Sequence, residues 1–292
     1  MADTHEERLK RARISLEGLS VGDSFGGYFE GGRPETLPYH LKTRNLPPKP
    51  WRFTDDTNMA LSIFSTLRQY EEINQDKLAE SFARHFDRTR GYGLGARHLL
   101  IQIKSGYPWR LATREMFGGG SYGNGGAMRV PPVGAYFADE LDTTVEHARR
   151  SAEITHAHPE GIAGAIAVAV ATAVAWHSRD HKQKPTRTEF IQRALPHVPD
   201  SQVKQGIEVA KELPSGIPVW PDVVAKLGNG SGISAQDTVP FVLWSTAERL
   251  DNYEEAIWQT ASAGGDVDTT CAMGRWNRCH VHGYRGHSAV VD

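Results

Sequence analysis

The sequence predicts an all-α protein, and three observations carry the prediction. Apolar residues recur at three- and four-residue spacing through most of the chain. No series of alternating strand-like segments joined by hairpin turns occurs. The stretch from Glu160 to Trp176 is so rich in alanine and glycine that it suits a helix approached closely on all sides. With 292 residues the chain can bury a substantial core, and we expect one compact helical domain over 1–292. Charge is nearly balanced, 33 Lys+Arg against 35 Asp+Glu, so no basic field suggests nucleic acid or an anionic membrane. Two cysteines, Cys271 and Cys279, form neither a Cys-x-x-Cys pair nor a disulfide framework. The start, Met1 to Lys10, is polar, and the apolar run Ile162–Trp176 is only 15 residues long. A soluble cytoplasmic protein with a small partner is the expectation.

Taken in order, Thr4 to Leu19 has the pattern of a helix. Gly22 to Gly32 then holds five glycines in 11 positions, which predicts a loop or a close backbone approach, with Glu30 on it. Arg33 to Trp51, with five prolines, predicts an irregular extended connection. Met59 to Leu67 has helix spacing with Thr54 or Asp55 as N-cap, and Lys77–Phe86 and Ala96–Lys104 follow as helices. Gly118 to Val130 is a second glycine-rich stretch. Its Ser and Asn among glycines expose backbone N–H groups suited to phosphate, although it is neither G-x-G-x-x-G after a strand nor a P-loop. Thr143–Ile154 and Glu160–Trp176 are helical, the latter starting at Pro159 with Thr155 or His156 near its cap. Thr188–Leu195, Asp200–Leu213, Asp237–Asn252 and Glu254–Ala263 complete the helices.

Two acidic turns carry the chemistry. A helix start needs one capping oxygen, and Thr54-Asp55-Asp56-Thr57 supplies adjacent carboxylates whose repulsion a cation would offset. Gly264-Gly265-Asp266-Val267-Asp268-Thr269 repeats the pattern near the other end of the chain. Together they have the composition of an oxygen-lined site for one or two Mg²⁺ or Mn²⁺ ions. His156 and His158, two apart, do not share a helical face, and the lack of Cys and His ligands argues against zinc.

Five motifs in order, Gly22-Asp23 with Glu30, Thr54-Asp55-Asp56-Thr57, Ser121-Tyr122-Gly123-Asn124-Gly125-Gly126-Ala127-Met128-Arg129, Thr155-His156-Ala157 and Gly265-Asp266-Val267-Asp268-Thr269, resemble the ADP-ribosylglycohydrolase family over nearly the whole chain. The resemblance implies an orthogonal helical bundle with two Mg²⁺ or Mn²⁺ ions that hydrolyses the C1″ bond between ADP-ribose and an acceptor. It makes Thr54, Asp55, Asp56, Asp266, Asp268 and Thr269 the metal ligands. Glu30 corresponds to a family glutamate that can approach the metals, and we expect Glu30 to transfer a proton and Asp56 to orient water. Gly119, Gly120, Ser121, Tyr122, Gly123 and Asn124 would hold the diphosphate and distal ribose, His156 would line the same pocket, and Phe117 would stack on adenine. The expected partners are ADP-ribose and an ADP-ribosylated protein.

Ser121, where some arginine-directed relatives carry Asp, tilts the expectation toward O-linked ADP-ribose. Residues 274–292 depart from the family's small-residue helix and Gly-Ile-Pro…Trp ending. A neighbouring reading frame can encode that ending, so a frameshifted tail is expected there. The rival readings are a hydrolase of another phosphorylated nucleotide, which would release phosphate, and a catalytically weak ADP-ribose-binding or crystallin-like member, which loss of the aspartates would mark.

Overall fold

The computed structural model describes residues 3–30, 34–179 and 181–274. In chain order its helices are α1 (His5–Glu30), α2 (Leu37–Thr43), α3 (Asp55–Tyr70), α4 (Gln75–Arg84), α5 (Leu94–Lys104), α6 (Trp109–Glu115), α7 (Gly125–Met128) and α8 (Pro131–Tyr136). They continue with α9 (Leu141–Glu153), α10 (Pro159–Ser178), α11 (Arg187–Ala194), α12 (Gln202–Glu212), α13 (Val224–Leu227), α14 (Ala235–Glu248), α15 (Tyr253–Ala261) and α16 (Val267–Met273). Among the described residues there is no strand, only an isolated bridge between Gly123 and Ser234. The protein is all-α, as its sequence predicts.

Helix α10 is the axis of the fold. Fifteen of its 20 residues are buried, and α7, α8, α9, α11, α12 and α14 pack around it. Its small residues set how near they come: a Cβ on Gly134 of α8 would stand 2.1 Å from the Ala169 carbonyl oxygen, and one on Gly164 would stand 2.8 Å from Ala235 Cβ. Among the described residues α10 alone has the length and hydropathy of a membrane span, but 83% of that window is buried inside the fold. Its N-cap is His158, whose Nδ1 accepts the Glu160 N–H at 3.2 Å. Thr155 and His156, expected near the cap, lie just before it, and Pro159 starts the helix as expected.

Of the two readings of Gly22–Gly32, a loop or a close backbone approach, the second holds: the described part is helical as far as Glu30, which is not on a loop. Glycine here answers to packing, not to flexibility. A Cβ on Gly26 would meet the Val267 carbonyl oxygen at 2.3 Å and Asp268 Cα at 2.6 Å, so α1 can run against the backbone of α16 only without a side chain at that position. Its apolar face, Phe25 and Phe29, closes over Trp258 of α15 and Cys271 of α16. The Arg33–Trp51 connection is also less irregular than expected. Its first part forms a 3₁₀ turn (Pro34–Thr36) and α2, where Pro38 falls in the first helical turn and costs no internal hydrogen bond. The short helices α6, α7, α8 and α13 were not expected, because four to seven residues carry too little periodicity to register. Of the tail at 274–292, only Gly274 belongs to the described residues.

Candidate metal centre and cleft

The first acidic turn is locked from two sides. Thr54, extended at φ −104° and ψ −161°, is the N-cap of α3, and its hydroxyl accepts the Asp56 N–H at 3.4 Å. Asp23, fully buried on α1, reaches across to the same turn. Its Oδ1 accepts the Thr54 hydroxyl at 2.8 Å, and its Oδ2 accepts the Thr57 N–H at 3.1 Å and the Thr57 hydroxyl at 2.5 Å. Beyond this, Asp56 Oδ2 lies 3.0 Å from Thr54 Oγ1. Asp56 Oδ1 is buried with no hydrogen-bond partner.

The second turn is held from outside. Gly264 and Gly265 adopt φ of 62° and 73°, a region that suits glycine. A Cβ on Gly265 would also lie 2.4 Å from the Asn229 carbonyl oxygen. Asp266 starts α16 without a side-chain cap of its own. Its N–H goes to the Asn229 carbonyl at 3.2 Å, and its Oδ2 accepts from Asn124 Nδ2 at 2.6 Å. Asp268 Oδ1 accepts the Thr269 N–H at 2.7 Å, while the Asp268 N–H donates to Glu30 Oε2 at 3.3 Å.

The two turns meet at Asp268. Carboxylate oxygens of Asp23, Asp56 and Asp268 lie within 4.8 Å of one another, as do those of Glu30, Asp266 and Asp268. Burial pushes the carboxyls up, to about 7 for Asp55, about 6 for Asp23 and about 9 for Glu30, and Asp56 and Asp266 rise well above the usual range. The Asp268 carboxylate adds to each. Such mutual elevation is what a bound divalent charge reverses. A set of carboxylate and hydroxyl oxygens, with an unpartnered buried Asp56 Oδ1, fits a hard cation.

Above the acids opens a cleft of about 770 Å³. Asp55, Asp56, Asp266, Asp268, Thr269 and Glu30 lie on its wall. Ser121, Tyr122, Gly123, Asn124, Phe117 and His156 also border it, whereas Thr54, Gly119 and Gly120 do not. A Cβ on Gly120 would stand 2.7 Å from the His158 nitrogen, so this glycine serves packing. Ser121 Oγ accepts the Gly123 N–H at 3.1 Å. Tyr122 stands edge-on to His158, and Phe117 is 73% exposed. Asn124, expected to touch substrate, is buried with its amide bound to Asp266 and to Thr238 Oγ1 at 3.1 Å.

Two residues of the site had no role assigned from sequence. One is Asp23, whose partners are 31 and 34 residues away. The other is Arg129, wholly buried on the cleft wall over the Phe82 ring. It donates to the carbonyls of Gly125 and Ser151 and, at 2.7 Å, to Thr155 Oγ1. Thr155 Oγ1 lies 2.7 Å from His156 Nδ1. Burial holds His156 down at about 3, so this imidazole is neutral. The only advance signal for either residue was its place inside a motif.

The described residues thus form an all-helical fold with an oxygen-only acid cluster, able to hold a hard cation, under a ligand-sized cleft. The family model for ADP-ribosylglycohydrolase matches residues 4–274, and the chain belongs to that family. The match stops where the atypical tail begins. Among its relatives, the chain is 29% identical to ADP-ribosylhydrolase ARH3 of Xenopus tropicalis, covering 91% of this chain and 85% of that protein. It is 28% identical to the Homo sapiens ADP-ribosylhydrolase ARH3, covering 91% and 83%. A solved structure described as an ADP-ribosylglycohydrolase-related protein complex superposes with a TM-score of 0.60 at 25% identity, over 93% of this chain and 87% of that one.

Proposed function

We propose that the protein hydrolyses the C1″ glycosidic bond of ADP-ribose attached to protein side chains, with O-linked acceptors preferred over arginine. The observation that carries this reading is the buried, unpartnered Asp56 Oδ1 at the foot of the cleft, among carboxylates that raise one another's pKa. Thr54, Asp55, Asp56, Asp266, Asp268 and Thr269 would hold two Mg²⁺ or Mn²⁺ ions. When bound, these supply positive charge and Lewis acidity beside the hydroxyls of the ribose being cleaved.

Glu30 lies at the exposed end of α1, where its Oε2 accepts the Asp268 N–H at 3.3 Å beside the acidic cluster. It is the candidate acid for the departing acceptor atom. Asp56 is the candidate for orienting water. The backbone of Ser121 and Tyr122 borders the cleft where a diphosphate would lie, Phe117 offers an open aromatic face for adenine, and His156 an uncharged ring. Asn124 acts on Asp266. The O-linked preference rests on Ser121 and the string that follows it. The two cysteines, Cys271 and Cys279, form neither a Cys-x-x-Cys pair nor a disulfide framework, a usage that suits a reducing cytoplasm, where we place the protein.

The test is release of ADP-ribose from serine-linked and arginine-linked peptides, with and without chelator. Cation-dependent release, faster from serine, is expected. Release of phosphate instead would replace the reading with a phosphoester hydrolase. In Glu30→Gln, kcat should fall by ~10²-fold or more with cation content unchanged, and full activity would remove Glu30 from proton transfer.

A further inference from the structure

By distance Asp23 belongs to the acidic cluster, yet both of its oxygens are already engaged. Oδ1 accepts the Thr54 hydroxyl at 2.8 Å, and the Thr54 N–H is shared between Oδ1 at 3.0 Å and Oδ2 at 2.9 Å. Oδ2 also takes the N–H and hydroxyl of Thr57 at 3.1 and 2.5 Å. A carboxylate with its lone pairs occupied by protein donors is a poor cation ligand. Its effect falls on Thr54.

The Thr54 hydroxyl has one proton and two acceptors in reach, Asp23 Oδ1 at 2.8 Å and Asp56 Oδ2 at 3.0 Å. Given to Asp56, the proton ties the two would-be ligands to each other. Given to Asp23, it leaves two oxygens with open lone pairs facing one another at 3.0 Å. That is close to the spacing of adjacent oxygens on an octahedral shell with metal–oxygen distances of about 2.1 Å. The shorter bond goes to Asp23, which the two Thr57 donors hold in place.

We infer that Asp23 is a positioning residue: by accepting the Thr54 hydroxyl hydrogen bond it presents Thr54 Oγ1 and Asp56 Oδ2 as a matched pair of cation ligands. The inference rests on the cation-holding reading above. Supporting residues of this kind change metal affinity by roughly 10- to 100-fold when removed.

The test is Mn²⁺ binding to the chelator-treated full chain, followed by the spin-resonance signal of free Mn²⁺, for wild type, Asp23→Asn, Thr54→Val, the double variant and Thr57→Val. Asp23→Asn and Thr54→Val should each weaken binding at least tenfold, and the double variant should bind no more weakly than Thr54→Val, because Asp23 acts through Thr54. A purely structural Asp23 would give multiplying losses, which would overturn the inference, as would wild-type affinity in Asp23→Asn. If Asp23→Asn does not fold by circular dichroism, Thr57→Val decides. Removing the 2.5 Å donor from Asp23 Oδ2 should weaken Mn²⁺ several-fold, and unchanged affinity contradicts the role. Wild type that binds no Mn²⁺ would overturn the metal reading itself and this inference with it.

Discussion

The two acidic turns have similar compositions but are held in different ways. At Thr54–Thr57 the turn caps its own 16-residue helix with the Thr54 side chain, and Asp23 saturates its donors from behind. At Gly264–Thr269 the helix has only seven residues and no side-chain cap. There Asp266 is positioned by Asn124 and Asn229 from other parts of the chain, and the close approach of α1 at Gly26 backs the turn. The first turn combines a local cap with a single distant partner, Asp23, whereas the second has no side-chain cap and is placed by several distant parts of the chain. The second is therefore the more easily broken from a distance.

Gly26→Ala should have the largest effect. Its new methyl would overlap the backbone of α16, costing ~3 kcal/mol or more and lowering Tm by many degrees. The adjacent Gly27→Ala, whose Cβ would meet Thr54 Cγ2 at 3.4 Å and the Arg52 carbonyl oxygen and Asp268 Cβ at 3.8 Å, all ordinary contact distances, should be tolerated and gain up to ~1 kcal/mol of helix propensity. Equal losses at the two glycines, read by thermal melts, would dissolve the asymmetry between the turns. Next in size is Asn124→Ala. It leaves Asp266 without its 2.6 Å donor and should lower cation affinity and kcat/KM by roughly 10- to 100-fold with helicity retained. Unchanged kinetics would show that Asp266 holds itself.

The smallest effect concerns the far end of α3, the helix that the first turn starts. His147 stacks on Phe137 at 4.1 Å, and its Nδ1 accepts the Ile73 N–H just past α3. Burial lowers its pKa from 6.5 to about 4. The unfolded chain therefore binds this proton first: the stability it contributes is complete above about 6.5 and is lost as pH falls from there through about 4. The total is at most ~3 kcal/mol. His147→Gln should flatten the stability profile in that window, and an unaltered slope would place the acid sensitivity elsewhere.

What the sequence revealed follows the same division. Thr54-Asp55-Asp56-Thr57 was legible because it carries more carboxylate than a cap needs, and α10 because alanine at nearly every second position leaves few roles except a crowded centre. The second half of α1 was legible only as two alternatives, since glycines that admit another backbone and glycines that free a loop have the same composition. Asp23 and Asn124 were hidden for another reason. Their partners Thr54, Thr57 and Asp266 are 31, 34 and 142 residues away, and nothing local distinguishes a carboxylate that supports a ligand from one that is a ligand.

The central claim is that two turns more than 200 residues apart make one cation-dependent site for removing ADP-ribose. The most direct test measures ADP-ribose release from a serine-linked peptide by wild type, Asp56→Asn and Asp266→Asn, each after chelation and after return of Mg²⁺ or Mn²⁺. Wild type should release ADP-ribose only when cation is returned, with each single variant losing at least ~10²-fold in rate, as expected of groups acting as a unit. Release that survives chelation, or full activity with either turn disabled, would contradict that claim.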